Sequence, residues 1–236
     1  MVALIYSSVG FGGGSGYLAI LSFANKSVVE YRLIALVCNL VVVAGNTFWH
    51  FKNKTFQLKK LIPFVVASVP MSFLGGSIVL PETHFKLLLG FTLLFAGIVM
   101  LWQLNTTEIN LKISTNPRFS AFVGGIIGFI SGLVGIGGGI FLAPILFLTK
   151  WDNARKISAA ASFFILVNSF SGLVGQITVN PSSVQINTIW PFVLAVFIGG
   201  QIGARLNFKQ LKQEQIKAMT AMLVIFAGLR ILYKFV

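Results

Sequence analysis

Charge is scarce in this chain, and negative charge is scarcer. Only 10% of its 236 residues are charged, and the five acids are Glu30, Glu82, Glu108, Asp152 and Glu214. A globular domain carries roughly 25% charged residues. None of the five acids falls inside an apolar run. Many proton- and sodium-coupled carriers work through an intramembrane acid, so this absence argues against cation transport and against a carboxylate relay. Cysteine is nearly absent too: Cys38 stands alone, which excludes an intramolecular disulfide framework. His50 and His84 lie at the edges of apolar runs and read as interfacial. No pair of ligands has metal spacing, no P-loop is present to take ATP, and no nucleophile sits beside a base. The chain does not read as an enzyme, and nothing in it calls for a cofactor. No basic n-region precedes the first apolar run, so that run is expected to be retained.

What is abundant is apolar. Hydrophobic residues make up 56% of the chain and the mean hydropathy is +0.89. Several apolar runs reach about 20 residues, the length that crosses a bilayer as a helix. The fold class is therefore all-α and polytopic, and soluble folds are set aside. The net charge of +13 does not point to nucleic acid, because the Lys and Arg residues sit almost entirely between the apolar runs. There they set topology and meet anionic headgroups, with a modest pull on anionic solutes.

In chain order the runs are roughly 2–23, 31–49, 61–80 and 85–103, then a polar connection over 104–117, then 119–148, 157–174, 188–204 and 218–235. The fifth is too long for one ordinary span. It contains Gly135, Gly137, Gly138 and Gly139, followed by Pro144. Adjacent glycines lower helix propensity by roughly 1 kcal/mol each, and lipid leaves no water to satisfy a freed backbone group. The helix is expected to break here, with the break buried in protein or lining a cavity.

The same pattern opens the chain: Gly10-Phe-Gly-Gly-Gly14 repeats Gly135-Ile-Gly-Gly-Gly139. Further along, Pro63-Phe-Val-Val-Ala67 matches Pro191-Phe-Val-Leu-Ala195, Gly75 matches Gly203, and Phe95-Ala-Gly97 matches Phe226-Ala-Gly228. The chain thus reads as two homologous halves of four apolar segments, 1–103 and 118–236, joined by a linker at 104–117. Loop charges suggest how they face. Lys52, Lys54, Lys59 and Lys60 follow the second run, whereas the equivalent loop of the second half, 176–187, has no Lys or Arg. Basic loops stay cytoplasmic, so the halves prefer opposite orientations. If each glycine-broken run enters and returns on one side, the halves are inverted repeats, an architecture common in secondary transporters. Arg230 and Lys234 would then face outside, against the rule. The rival arrangement is eight ordinary spans in parallel halves.

The run Gly132-Leu-Val-Gly-Ile-Gly-Gly-Gly139 with Pro144 after it, present in two copies, resembles the sulfite exporter TauE/SafE family of membrane transporters. The first copy has Ala19 where the family often has proline, and only nine residues precede it, which suggests a shortened N-terminus. The resemblance covers essentially the whole chain. It implies export of sulfite or organosulfonates across the plasma (inner) membrane, coupled to an ion gradient, with a proton as candidate coupling ion and a homodimer as candidate assembly. From the residues alone, the half-helix N-termini exposed by a break offer free N–H groups and a positive dipole end, an anion site without a charged side chain. Gly12, Gly13, Gly14, Gly137, Gly138 and Gly139 are the candidate substrate-binding backbone, against the plainer reading of close helix packing. Arg205 ends the seventh run and either holds an oxyanion or snorkels to the interface. Cys38 and Asn39 on the second run, and Ser162 and Asn168 on the sixth, are candidate pathway residues that equally serve as helix glue. An anion channel with a broken-helix filter is the alternative to a carrier.

Overall fold

A computed structural model describes residues 1–8, 10–21, 27–105, 116–181, 186–207 and 213–233. Regular structure among these is entirely helical: α1 (Val2–Ser8), α2 (Gly14–Leu21), α3 (Val28–Lys52), α4 (Leu58–Ser77), α5 (Glu82–Asn105), α6 (Pro117–Val134), α7 (Gly139–Leu148), α8 (Ala154–Val179), α9 (Ile186–Asn207) and α10 (Gln213–Tyr233). Five of them, α3, α4, α5, α6 and α8, are long and apolar enough to cross a membrane. Large apolar side chains such as Phe91, Phe95 and Phe122 face outward, while Arg32, Asn39, Asn46 and His50 are buried. A polar interior under an apolar surface fits lipid as the solvent. The polar linker between the halves falls mostly on 106–115, outside the described residues.

Local sequence explains the helix starts. Ser27 caps α3 and Glu30 returns the bond to the Ser27 N–H, a capping box. Asn116 caps α6, with Pro117 at its first position, and Asn153 caps α8. Packing then sets the directions. Gly124, Gly128 and Gly132, spaced four apart on α6, lie against the backbone of Phe64, Ser68 and Ser72 on α4. Both sets of numbers rise together, so α4 and α6 run parallel, with backbones brought close by small residues. Gly199 and Gly203 on α9 meet Ala3, Leu4 and Ser7 on α1 in the same sense. The central pair is the opposite. Along α3 and α8, His50 lies beside Ser158 (3.4 Å) and Asn39 beside Ser169 (3.5 Å), while Gln176 donates to the Val29 carbonyl (2.5 Å). These helices are antiparallel, as are α5 and α10, where Gly90 meets Leu232 and Gly97 meets Ile225.

The long fifth run of the sequence is two helices. Pro117, Phe119 and Ser120 at the start of α6 border the same cavity as Thr149, Lys150 and Trp151 at the end of α7, together with Lys59 and Lys60 of α4. The α6–α7 unit therefore enters and leaves on one face, which also carries the end of α3 and the start of α8. Lys52, Lys54, Lys59, Lys60, Arg118, Lys150, Arg155 and Lys156 gather there. At 10 residues, α7 is about 15 Å long, half of a hydrocarbon core of about 30 Å.

Candidate functional site

The two glycine breaks meet. In each, the backbone turns through left-handed φ, at Gly10 (88°) and Gly13 (91°) in the first and at Gly135 (82°), Gly137 (87°) and Gly138 (81°) in the second. Glycine adopts that region without the Cβ penalty. The turns deliver the start of α2 and the Ile136 carbonyl of the second break to one residue, Asn39, near the middle of α3. Its Oδ1 accepts from the Gly14 N–H (2.8 Å), and its Nδ2 donates to the Ile136 carbonyl (2.7 Å) and lies 3.5 Å from Ser169 Oγ. Space here exists only because the residues are glycine. A Cβ on Gly12 or Gly14 would collide with the Asn39 carboxamide, and one on Gly137 would lie 2.5 Å from Ser169 Oγ. Gly10 to Gly14 and Gly135 to Gly139 are all buried, so the junction is closed to both faces.

The start of α2 thus meets the second break, which leads into α7, where no carboxylate is found among the described buried residues. No side chain caps α7. Pro144 also withholds the N–H that the Ile140 carbonyl would receive. Ser131, buried beside Gly138, has no hydrogen-bond partner for its hydroxyl among the described residues. The arrangement offers neutral donors and positive dipole ends, which suit a small anion. The described residues include no group of three His, Cys, Asp or Glu able to hold a metal.

Of the residues singled out from sequence, Gly12, Gly14, Gly137 and Asn39 are at the junction. Gly13 packs on the Tyr17 ring, and Gly138 and Gly139 pack on Phe164 and Ile165. Ser162 donates to the Gly10 carbonyl (2.7 Å) at the edge of the first break. Asn168 turns back onto its own helix, donating to Phe164 O (2.8 Å). Cys38 is buried in the apolar core. Arg205 is exposed on the last turn of α9.

One buried cation was missed in the sequence, and one expectation needs correction. Arg32, not singled out from the sequence, is fully buried one turn into α3. Its guanidinium donates to the carbonyls of Ile78 (3.0 Å), Gly76 (3.3 Å) and Gly132 (2.9 Å), and lies 5.9 Å from the Phe85 ring centroid. These are the carbonyls left over at the ends of α4 and α6, so a cation there also meets the negative ends of two helices. The signal was one arginine beside Tyr31, which passes for the flank of an apolar run. His50, expected at the interface, is buried and bonded to Thr55 (2.9 Å).

Comparison with known proteins gives a consistent picture. A sequence model of the family described as Sulfite exporter TauE/SafE matches residues 1–231. The probable membrane transporter protein y4hK of Sinorhizobium fredii is 31% identical over 236 residues, covering 99% of this chain and 95% of the relative. A probable membrane transporter protein of Methanocaldococcus jannaschii is 25% identical, covering 97% of this chain and 91% of its own length. The probable membrane transporter protein YunE of Bacillus subtilis is 22% identical, covering 97% and 92%. No solved structure matches the chain.

Proposed function

The chain belongs to the sulfite exporter TauE/SafE family, a multi-pass membrane transporter family, and from that premise we propose that it is a secondary carrier exporting small sulfur oxyanions such as sulfite or an organosulfonate. The observation that carries the reading is the meeting of the α2 N-terminus and the second glycine break on Asn39. The Asn39 carbonyl occupies the place of an anion oxygen on the Gly14 N–H. A substrate oxygen competes for that donor, frees Asn39, and loosens its grip on the Ile136 carbonyl. Binding thereby favours a state in which the two breaks move apart. The two-halves reading, with boundaries near 103 and 118, is supported by the pairing of helices. The α1–α9 contact corresponds to α6–α4, and the matched pairs α3–α8 and α5–α10 are each antiparallel. A two-fold axis lying in the membrane plane relates such elements, which is the inverted arrangement. The lysine-rich face is then cytoplasmic.

The test is flux into liposomes of labelled sulfite, with sulfate, thiosulfate and acetate in parallel, with and without a pH gradient. Saturable sulfite flux, lost roughly tenfold or more in folded Asn39→Leu, is expected. Equal leakage of all anions would identify a channel, and absence of sulfur-anion flux in folded protein would overturn the substrate.

A further inference from the structure

At the second glycine break several carbonyls are met while donors are left over. The Gly132 carbonyl accepts from Arg32 Nη2 (2.9 Å), and the Ser131 carbonyl accepts from the Gly135 and Ile136 N–H groups (2.7 and 3.2 Å). The Ile136 carbonyl accepts from Asn39 (2.7 Å), and the Gly138 carbonyl from the Phe141 and Leu142 N–H groups (3.1 and 3.0 Å). On the donor side, Ser131 Oγ and Arg32 Nε are buried and have no hydrogen-bond partner. No side chain caps α7, so its first N–H groups join them. The break itself draws these groups together. Ser131 Cβ lies 3.2 Å from where a Cβ on Gly138, the residue before α7, would stand. Arg32 Cγ lies 3.5 Å from the same position on Gly135, and the Gly135 N–H is the one bonded to Ser131.

Arg32 is also a cation without a carboxylate, since no Asp or Glu is found among the described buried residues. Carbonyls satisfy part of its fork but leave its charge unbalanced, and a buried charge is costly until it is paired. Arg32 precedes Asn39 by seven residues on α3, about 10 Å along the axis, toward the face opposite Lys52 and Lys54. An anion leaving the junction for that face meets these donors next.

We propose that this side of the second break is an oxyanion site of its own, distinct from the Gly14 N–H, in which Ser131 Oγ, the Arg32 guanidinium and the first N–H groups of α7 hold the departing anion. The site rests on the anion-carrier reading for the identity of its ligand. It is closed over in this structure and fills when that face opens. A pyramidal oxyanion such as sulfite carries enough oxygens to meet donors set around the break, whereas chloride is a single atom and acetate offers fewer oxygens. In turning to the anion, Arg32 leaves the Gly132 carbonyl and frees the end of α6.

The experiment is thermal unfolding of the full chain in detergent with sodium sulfite, sodium acetate or sodium chloride at matched ionic strength, with sulfite flux measured on the same variants. A ligand that binds only the folded protein raises the melting midpoint. Sulfite is expected to do so in the parent protein and in Asn39→Leu, and acetate and chloride are not. Ser131→Ala removes a buried hydroxyl that has no partner, so it should raise the midpoint of the ligand-free protein while increasing the half-saturating sulfite about tenfold or more. A merely structural serine would give the reverse, a lower midpoint and unchanged half-saturation. Arg32→Lys, which keeps the charge and loses the fork, should weaken sulfite binding as well. No sulfite shift in the parent, or unchanged half-saturation in folded Ser131→Ala and Arg32→Lys, would overturn the site. A shift that depends on Ser131 in a protein with no sulfite flux would keep the site and remove the carrier. Flux that depends on Asn39, with a shift indifferent to Ser131, would keep the carrier and remove the site.

Discussion

At Gly124 a Cβ would run into the Phe64 backbone on α4, whereas at Gly125 the nearest atom would be Met71 Cγ at 3.7 Å. Gly124→Ala is therefore expected to push α4 and α6 apart, at a cost of about 1–3 kcal/mol. Gly125→Ala should be neutral or stabilising, since alanine favours the helix. Melting midpoints of the two variants in one detergent separate these outcomes. Arg32→Gln should also destabilise, because two buried carbonyls, Gly76 and Gly132, and the part-buried Ile78 carbonyl lose a charged donor at roughly 1–3 kcal/mol each at most. Arg32→Lys, with one nitrogen for a fork of donors, should recover only part. Outside the spans, burial pushes the Asp152 carboxyl up, but the Asn153 N–H together with Lys156 and Lys60 outweighs it and holds the group below its ordinary value. A depressed carboxylate contributes stability above its unfolded value near about 3.9, and that stability is lost as pH falls through the folded value. Melting scanned from about pH 6 to about pH 3 should decline less steeply in Asp152→Asn than in the parent protein.

The elements differ in how plainly the sequence announces them. The stop at Val134 and restart at Gly139 were legible because the glycines lie side by side where a lipid-facing helix tolerates none. The meeting of that break with the first was legible only on the expectation of a duplicated module. Asn39 as its joint was one candidate among several buried amides and hydroxyls. The polar stretch after Val174 looked like a loop, yet α8 continues to Val179 because Gln176 finds its partner on α3, far away in sequence. Arg32 was hidden for the same reason: its acceptors are the ends of α4 and α6. Pro63 and Pro70 do not interrupt α4. The re-entrant path of α6–α7 has a direct test in a Cys38→Ala background. Ser120→Cys and Thr149→Cys should react with an impermeant thiol reagent from the same side of a sealed vesicle. Thr83→Cys, exposed at the start of α5, should react from the other side. Opposite labelling of Ser120→Cys and Thr149→Cys would make α6–α7 a single crossing.

Across the whole molecule, helices from early and late in the chain are interleaved: α1 packs on α9, α4 on α6 and α8, and α5 on α10. With these contacts crossing 106–115, fragments divided there should accumulate only when produced together, as copurification of the two pieces would reveal. The pairing also has a thermodynamic side. Position for position, Arg32 stands beside Gly135 where Ser158 stands beside Gly10, and Asn39 stands beside Gly14 where Ile165 stands beside Gly139. Two chemically identical halves exchanging roles would leave the inward- and outward-open forms at equal free energy. Here one side of the membrane is fastened by a guanidinium and the other by a hydroxyl, and the Asn39 amide, which bonds both breaks, has only the alkyl Ile165 as its counterpart. On the inverted reading the empty protein has a built-in resting polarity, set by its side chains before any gradient is applied.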